Sequence, residues 1–127
     1  MNIIGNGIDI IENARIEKAI KNKNFVLRVF TTSEIKKSIK IKNKVNYFAK
    51  RFAAKEAFVK SVGTGFRKNI NFKDISVENN ILGKPKIKLN YKIKNFLNKK
   101  FKIKKFKVFL SLADEKKHSI AYVVIDK

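Results

Sequence analysis

From about Val45 to Ser61 the chain spaces apolar residues three and four apart and then runs into Gly63, Thr64 and Gly65, which predicts one long helix closed by a glycine turn. No other segment constrains the fold as strongly. On the helical wheel Phe48, Phe52 and Val59 form a stripe with Ala49 and Ala53 beside it, and Glu56 falls inside the same arc, with Lys60 four residues later. A carboxylate placed there needs a partner, because left unpaired in apolar surroundings it takes up a proton or costs several kcal/mol. Two readings stay open at this level. Either Lys60 or another lysine satisfies Glu56 on a wet part of the face, or Glu56 is a metal ligand or catalytic acid/base in a cleft.

Residues 2–11, "NIIGNGIDII", are β-branched enough for a strand. Alternation puts Ile8 and Ile10 on one face and Ile3, Asp9 and Ile11 on the other. Asp9 is thus a second carboxylate among apolar neighbours, either functional or an aspartate capping the next helix. "NARIEKAIKNK" follows with helical spacing, Ala14, Ala19 and Ile20 being the candidate buried positions and Arg15 a polar one. "TTSE" opens another helix, since Thr31 and Glu34 have capping-box spacing.

Beyond residue 72 the period changes from helix to strand. "DISVEN" and "GKPKIKL" alternate around a turn containing Gly83 and Pro85, "YKIKNFLNKK" suits a short helix, and "FKVFLSLADEKKHSIAYVVID" suits a closing hairpin with Asp114 to His118 in its turn. Helices in the first half and antiparallel hairpins in the second predict an α+β fold. With 127 residues and no linker or repeat, residues 1–127 are expected to form one domain.

Cysteine is absent and His118 is the sole histidine, which excludes disulfides, zinc-thiolate sites, a cysteine nucleophile and a multi-histidine metal site within one chain. A metal here would be a hard cation held by oxygen. No stretch has the length of a membrane span and the first residues do not read as a signal peptide, so a soluble cytoplasmic protein is expected. The formal net charge of +21 calls for an anionic partner. Of the 31 basic residues only Arg15, Arg28, Arg51 and Arg67 are arginines, so the charge says little about which anion. A small basic RNA-binding or ribosome-associated protein is the competing function, although the basic run from Lys99 to Lys107 alternates with Phe101, Ile103 and Phe106 as a half-buried strand or loop does.

Three separated stretches in one order resemble the holo-acyl-carrier-protein synthases, a family of 4′-phosphopantetheinyl transferases: "GNGIDIIENARIE" at 5–17, "RFAAKEAFVKSVGTGFR" at 51–67, and "LGKPKIKL" with "LSLADEKKHSIAYVVI" in the C-terminal half. The resemblance implies transfer of the phosphopantetheine arm of coenzyme A to a serine of acyl carrier protein for fatty acid synthesis. Adenosine 3′,5′-bisphosphate leaves, and no nucleic acid or membrane takes part. It implies a magnesium site from Asp9 and Glu56, and a homotrimer with coenzyme A at subunit boundaries. By the same resemblance Glu56 and Lys60 are catalytic, Arg51, Lys60, Gly63, Thr64, Gly65 and Pro85 contact coenzyme A, and Arg15, with Arg28 extending the patch, docks the acidic carrier. The serine proton goes to Glu56 or to a water on the ion, and the water is favoured because a cation drives down the pKa of a ligating carboxylate. The chain departs from many members at Ala113 and Asp114, where they have serine and histidine, so that histidine's role does not transfer to Asp114. His118 is expected to be solvated.

Overall fold

The computed structural model describes residues 2–66 and 70–127; Arg67 lies outside the described residues. The elements run β1 (Ile3–Glu12), α1 (Asn13–Ala19), α2 (Lys23–Val29), α3 (Thr32–Ser38), α4 (Lys44–Val62), a 3-10 turn (Phe72–Asp74), β2 (Ile75–Asn79), β3 (Pro85–Leu89), α5 (Tyr91–Phe101), β4 (Lys107–Asp114) and β5 (His118–Asp126). The α+β expectation holds. Strands β1, β5 and β4 form one antiparallel sheet in that order, and β2 pairs with β3 in a separate hairpin.

Local chemistry explains most of the helix starts. Asn22, Thr31, Asn43 and Asn90 each accept backbone N–H bonds at the starts of α2 to α5, and Thr31 with Glu34 completes the expected capping box. Helix α2 was not anticipated; Asn22 ahead of an apolar-periodic run was the available signal. At α1 the buried residues are Asn13 and Ile16, whereas Ala14 is exposed. Asn13 is buried because its side-chain amide donates to the carbonyls of Glu115 and Lys116 and accepts from Ser119 Oγ, pinning α1 to the β4–β5 turn.

Helix α4 has no single apolar face. It runs through the centre of the molecule, with Ala49, Ala53, Ala54, Ala57, Phe58 and Val59 all buried. The more open line is Phe52, Glu56 and Lys60, one residue every four, so Glu56 sits on the helix's open edge rather than in an apolar stripe.

Strand β1 crosses α4 at unusually short range. A Cβ added to Gly5 would lie 2.1 Å from the carbonyl oxygen of Ser61, and one added to Gly7 would lie 2.1 Å from that of Ala57. The two glycines thus let backbone rest on backbone, with Asp9 and Ile11 following on the same face. Ile3 does not share that face as alternation suggested: the β1–β5 register shifts between Ile3 and Gly5, which turns Ile3 outward. We expect Gly7→Ala to lower unfolding free energy by about 1–3 kcal/mol, the range for overpacking. Urea denaturation with an unchanged midpoint would show that β1 is not clamped to the helix there.

Candidate functional site

Asp9 stands mid-strand on the inner face of β1, paired with Ala121, and is therefore not a helix cap; Glu12 occupies that position without a side-chain bond. The close approach allowed by Gly5 and Gly7 carries Asp9 to the open edge of α4. There Lys60 Nζ donates to Asp9 Oδ1 at 3.0 Å and to the backbone carbonyl of Ile8 at 3.0 Å. The Asp9 side chain keeps 14 % of its exposure and that of Lys60 keeps 54 %, so the pair is covered on the acid's side and open on the amine's.

Glu56 belongs to the same group. Burial pushes its carboxyl above the ordinary range, the charge of Asp9 pushes it further, and Lys60 partly opposes both. The charge of Asp9 thus opposes that of Glu56, and a cation held by both carboxylates would relieve the repulsion. The donor set is hard oxygen. Among the described residues no cluster of three or more His, Cys, Asp or Glu side chains exists, so a full protein cage is absent from them. Two carboxylates at an edge open on the Lys60 side fit magnesium, which usually takes one or two carboxylates and keeps several waters.

Gly63 ends α4 in the left-handed region (φ 85°), and its N–H donates to the carbonyl of Val59 at 3.0 Å. It is therefore a helix cap with its amide engaged, and Thr64 and Gly65 follow it in the turn. Thr64 Oγ1 donates to the Gly65 carbonyl at 3.2 Å.

Arg51 and Pro85 lie elsewhere. From Arg51 to Lys60 the helix advances about 14 Å and turns about 180°, so the two cations face opposite sides of α4. Arg51 is buried, its guanidinium carbon 3.6 Å from the Tyr47 ring centroid, and it donates to the Tyr47 carbonyl at 3.3 Å and to Asn79 Oδ1 at 2.8 Å. Its Nε has no acceptor among the described residues, and burial lowers its pKa. Asn79 pairs with Pro85 in the β2–β3 hairpin, so Pro85 lies across the hairpin from the residue that accepts from this arginine.

A cavity of about 600 Å³ opens in front of Arg51, and Lys37, Lys40, Lys50, Asn46 and Asp114 share its lining. Sequence reading missed Lys50 and Asn46. Their spacing with Arg51 on α4 was the available signal, but nothing local said that the end of β4 would face them.

Arg15 and Arg28 are exposed on α1 and α2, and neither forms an ion pair among the described residues. The guanidinium of Arg28 lies 6.0 Å from the Phe25 ring centroid. His118, the first residue of β5, bonds Glu115 Oε1 through Nδ1 at 2.8 Å and is half-buried.

Residues 5–123 match the family model described as the 4′-phosphopantetheinyl transferase superfamily. A holo-(acyl-carrier-protein) synthase of Pelagibacter ubique is 57% identical over 127 residues, covering 100% of this chain and 99% of that protein. The crystal structure of the corresponding synthase from Neisseria meningitidis superimposes with a TM-score of 0.89 at 37% identity, covering 98% of this chain and 99% of that one. The Bacillus anthracis synthase, in complex with CoA (3′,5′-ADP), gives a TM-score of 0.83 at 36% identity, covering 100% and 99%.

Proposed function

We propose, from the premise that this chain belongs to the 4′-phosphopantetheinyl transferase superfamily, that it transfers 4′-phosphopantetheine from coenzyme A to a serine of apo acyl carrier protein. The products are the holo carrier, for fatty acid synthesis, and adenosine 3′,5′-bisphosphate. The observation that carries this reading is the meeting of Asp9, Glu56 and Lys60 at the open edge of α4, from segments far apart in sequence. RNA binding has no comparable support, since the matches are to synthases over the full chain.

The serine hydroxyl attacks the β-phosphate of coenzyme A, and the bisphosphorylated nucleotide leaves. Charge gathers on the phosphoryl oxygens and the leaving group, so positioned positive charge matters more than a covalent nucleophile. Magnesium, when held by Asp9 and Glu56, supplies charge neutralisation at the diphosphate. Lys60 adds a fixed cation on the solvent side, and the Thr64 and Gly65 amides add anion contacts. The serine proton passes to a water beside Glu56, because a carboxylate engaged by a cation is a poor base.

Arg51 and Pro85, facing away from Lys60, hold the nucleotide end of coenzyme A for a site completed across a subunit boundary. A homotrimer is supported by the outer face of the three-stranded sheet, where Ile8 (59 % exposed), Ile10 (61 %), Phe109 (51 %) and Tyr122 (42 %) form one open apolar patch. Arg15, with Arg28, receives the acidic carrier, and salt slows that encounter. The whole chain acts as one transferase domain in the cytoplasm.

Incubating apo carrier protein with this chain, coenzyme A and magnesium, and weighing the carrier by mass spectrometry, tests the activity directly; an unmodified serine would refute it. The assembly has its own test. Ile10→Lys should shift the mass measured by light scattering from trimer to monomer and reduce turnover by about 100-fold or more, since half of each site is then missing. A trimeric, active Ile10→Lys variant would remove this face from the assembly.

A further inference from the structure

The cavity in front of Arg51 is not uniformly basic. Lys37, Lys40, Lys50 and Arg51 contribute four cations, and Asp114 is the one carboxylate among its described lining residues. Asp114 ends β4, opposite Ser119. Asn46 Nδ2 donates to its Oδ2 at 2.6 Å, and Lys50 Nζ lies 3.7 Å from its Oδ1. The carboxylate is thus held at the cavity wall by two residues of α4, one helical turn apart.

A fixed carboxylate does two things to an incoming polyanion. It occupies Lys50, and it repels phosphate oxygens directly, so the cavity binds more weakly than its four cations alone would. For an enzyme whose substrate and product are both polyanionic nucleotides, unopposed cations would hold the product after transfer. Resting on the nucleotide reading of this cavity, we propose that Asp114 is a specificity-determining residue that weakens the hold on phosphorylated nucleotide and so discharges adenosine 3′,5′-bisphosphate. Its effect grows with the number of phosphate charges on the ligand. It also moderates the advantage of coenzyme A over forms with fewer phosphates.

Asp114→Asn isolates the charge, because the amide oxygen can still accept from Asn46. Calorimetric titration of the full chain with adenosine 3′,5′-bisphosphate should show about tenfold tighter binding for Asp114→Asn, the size of one like-charge contact at a partly screened site. Adenosine 5′-monophosphate should gain only about threefold, having fewer charges to repel. In steady state KM for coenzyme A falls and product inhibition sharpens. Arg51→Gln, run alongside, separates the two levels of the proposal. If Arg51→Gln loses nucleotide affinity while Asp114→Asn binds the bisphosphate no tighter or more weakly, the role of Asp114 is overturned and the nucleotide cavity stands. If Arg51→Gln binds nucleotide as the parent chain does, the nucleotide lies elsewhere, and both fall.

Discussion

Glu56→Gln will lose turnover on the order of a thousandfold while melting no lower than the parent chain. Glutamine keeps the shape and one oxygen but removes the charge that the proposed cation between Asp9 and Glu56 would need. The same charge is a liability for folding. Glu56 is raised by burial and then by Asp9, so the folded chain binds its proton more tightly than the unfolded chain does. The stability tied to that proton is fully present below the ordinary carboxyl range and is lost as pH rises through the raised folded value.

At about pH 7 the parent chain therefore carries a repulsion that glutamine lacks, and the melting advantage of Glu56→Gln shrinks as the pH is lowered. Magnesium reverses the order. It should raise the melting temperature of the parent chain near neutrality, progressively less towards acid as the proton competes for the carboxylates, and leave Glu56→Gln unchanged. Thermal scans with and without magnesium across pH, paired with the carrier-modification assay, check all of this. Retained turnover in Glu56→Gln removes the carboxylate from the mechanism; a melting point several degrees below the parent assigns it a structural role instead.

Lys55→Met has the largest expected effect on the fold. Lys55 and Glu34 both have fully buried side chains, with Nζ 2.7 Å from Glu34 Oε1. The ammonium also donates to the carbonyls of Val29 at 2.8 Å and Phe72 at 3.2 Å, so all three of its protons have acceptors. Glu34 in turn accepts from the backbone N–H of Thr31 through Oε1 and of Val77 through Oε2. One ion pair thus ties α2, α3, α4, the 3-10 turn and the β2–β3 hairpin together. Burial lowers the pKa of Lys55 despite the neighbouring carboxylate.

Removing the lysine leaves a buried carboxylate without its counter-charge, and breaking a buried pair in this way costs about 3–5 kcal/mol. For a chain of this size that corresponds to a drop of roughly 10 °C or more in melting temperature. Lys55→Met/Glu34→Gln should recover part of the loss, because no uncompensated charge remains. Denaturant titrations of both variants check it. Equal losses in the single and double variants would mean that the hydrogen-bond geometry, rather than the charge, is what matters.

Some of this was readable along the chain. The α4 helix and its glycine stop, the Thr31–Glu34 cap, the two hairpins and the unusual positions of Asp9 and Glu56 all came from spacing and turn chemistry, which act over a few residues. Their assignment to a site came from resemblance to a family and not from pattern. What local pattern could not supply was depth. Glu34 read as a helix cap and turned out to be the buried anion of Lys55 as well; α4 read as amphipathic and is buried nearly all round.

The remaining arrangement depends on contacts between segments with no fixed spacing in sequence. Gly5 and Gly7 acquire their purpose only against the carbonyls of Ser61 and Ala57, where no Cβ fits, and that packing is what brings Asp9 to Glu56. Asp114 meets Asn46 and Lys50 only because β4 ends beside the start of α4. Alternation and helical period fix which side chains share a face; which faces meet, and at what distance, is set by how the sheet and helix pack, and the proposed site lies at those meetings.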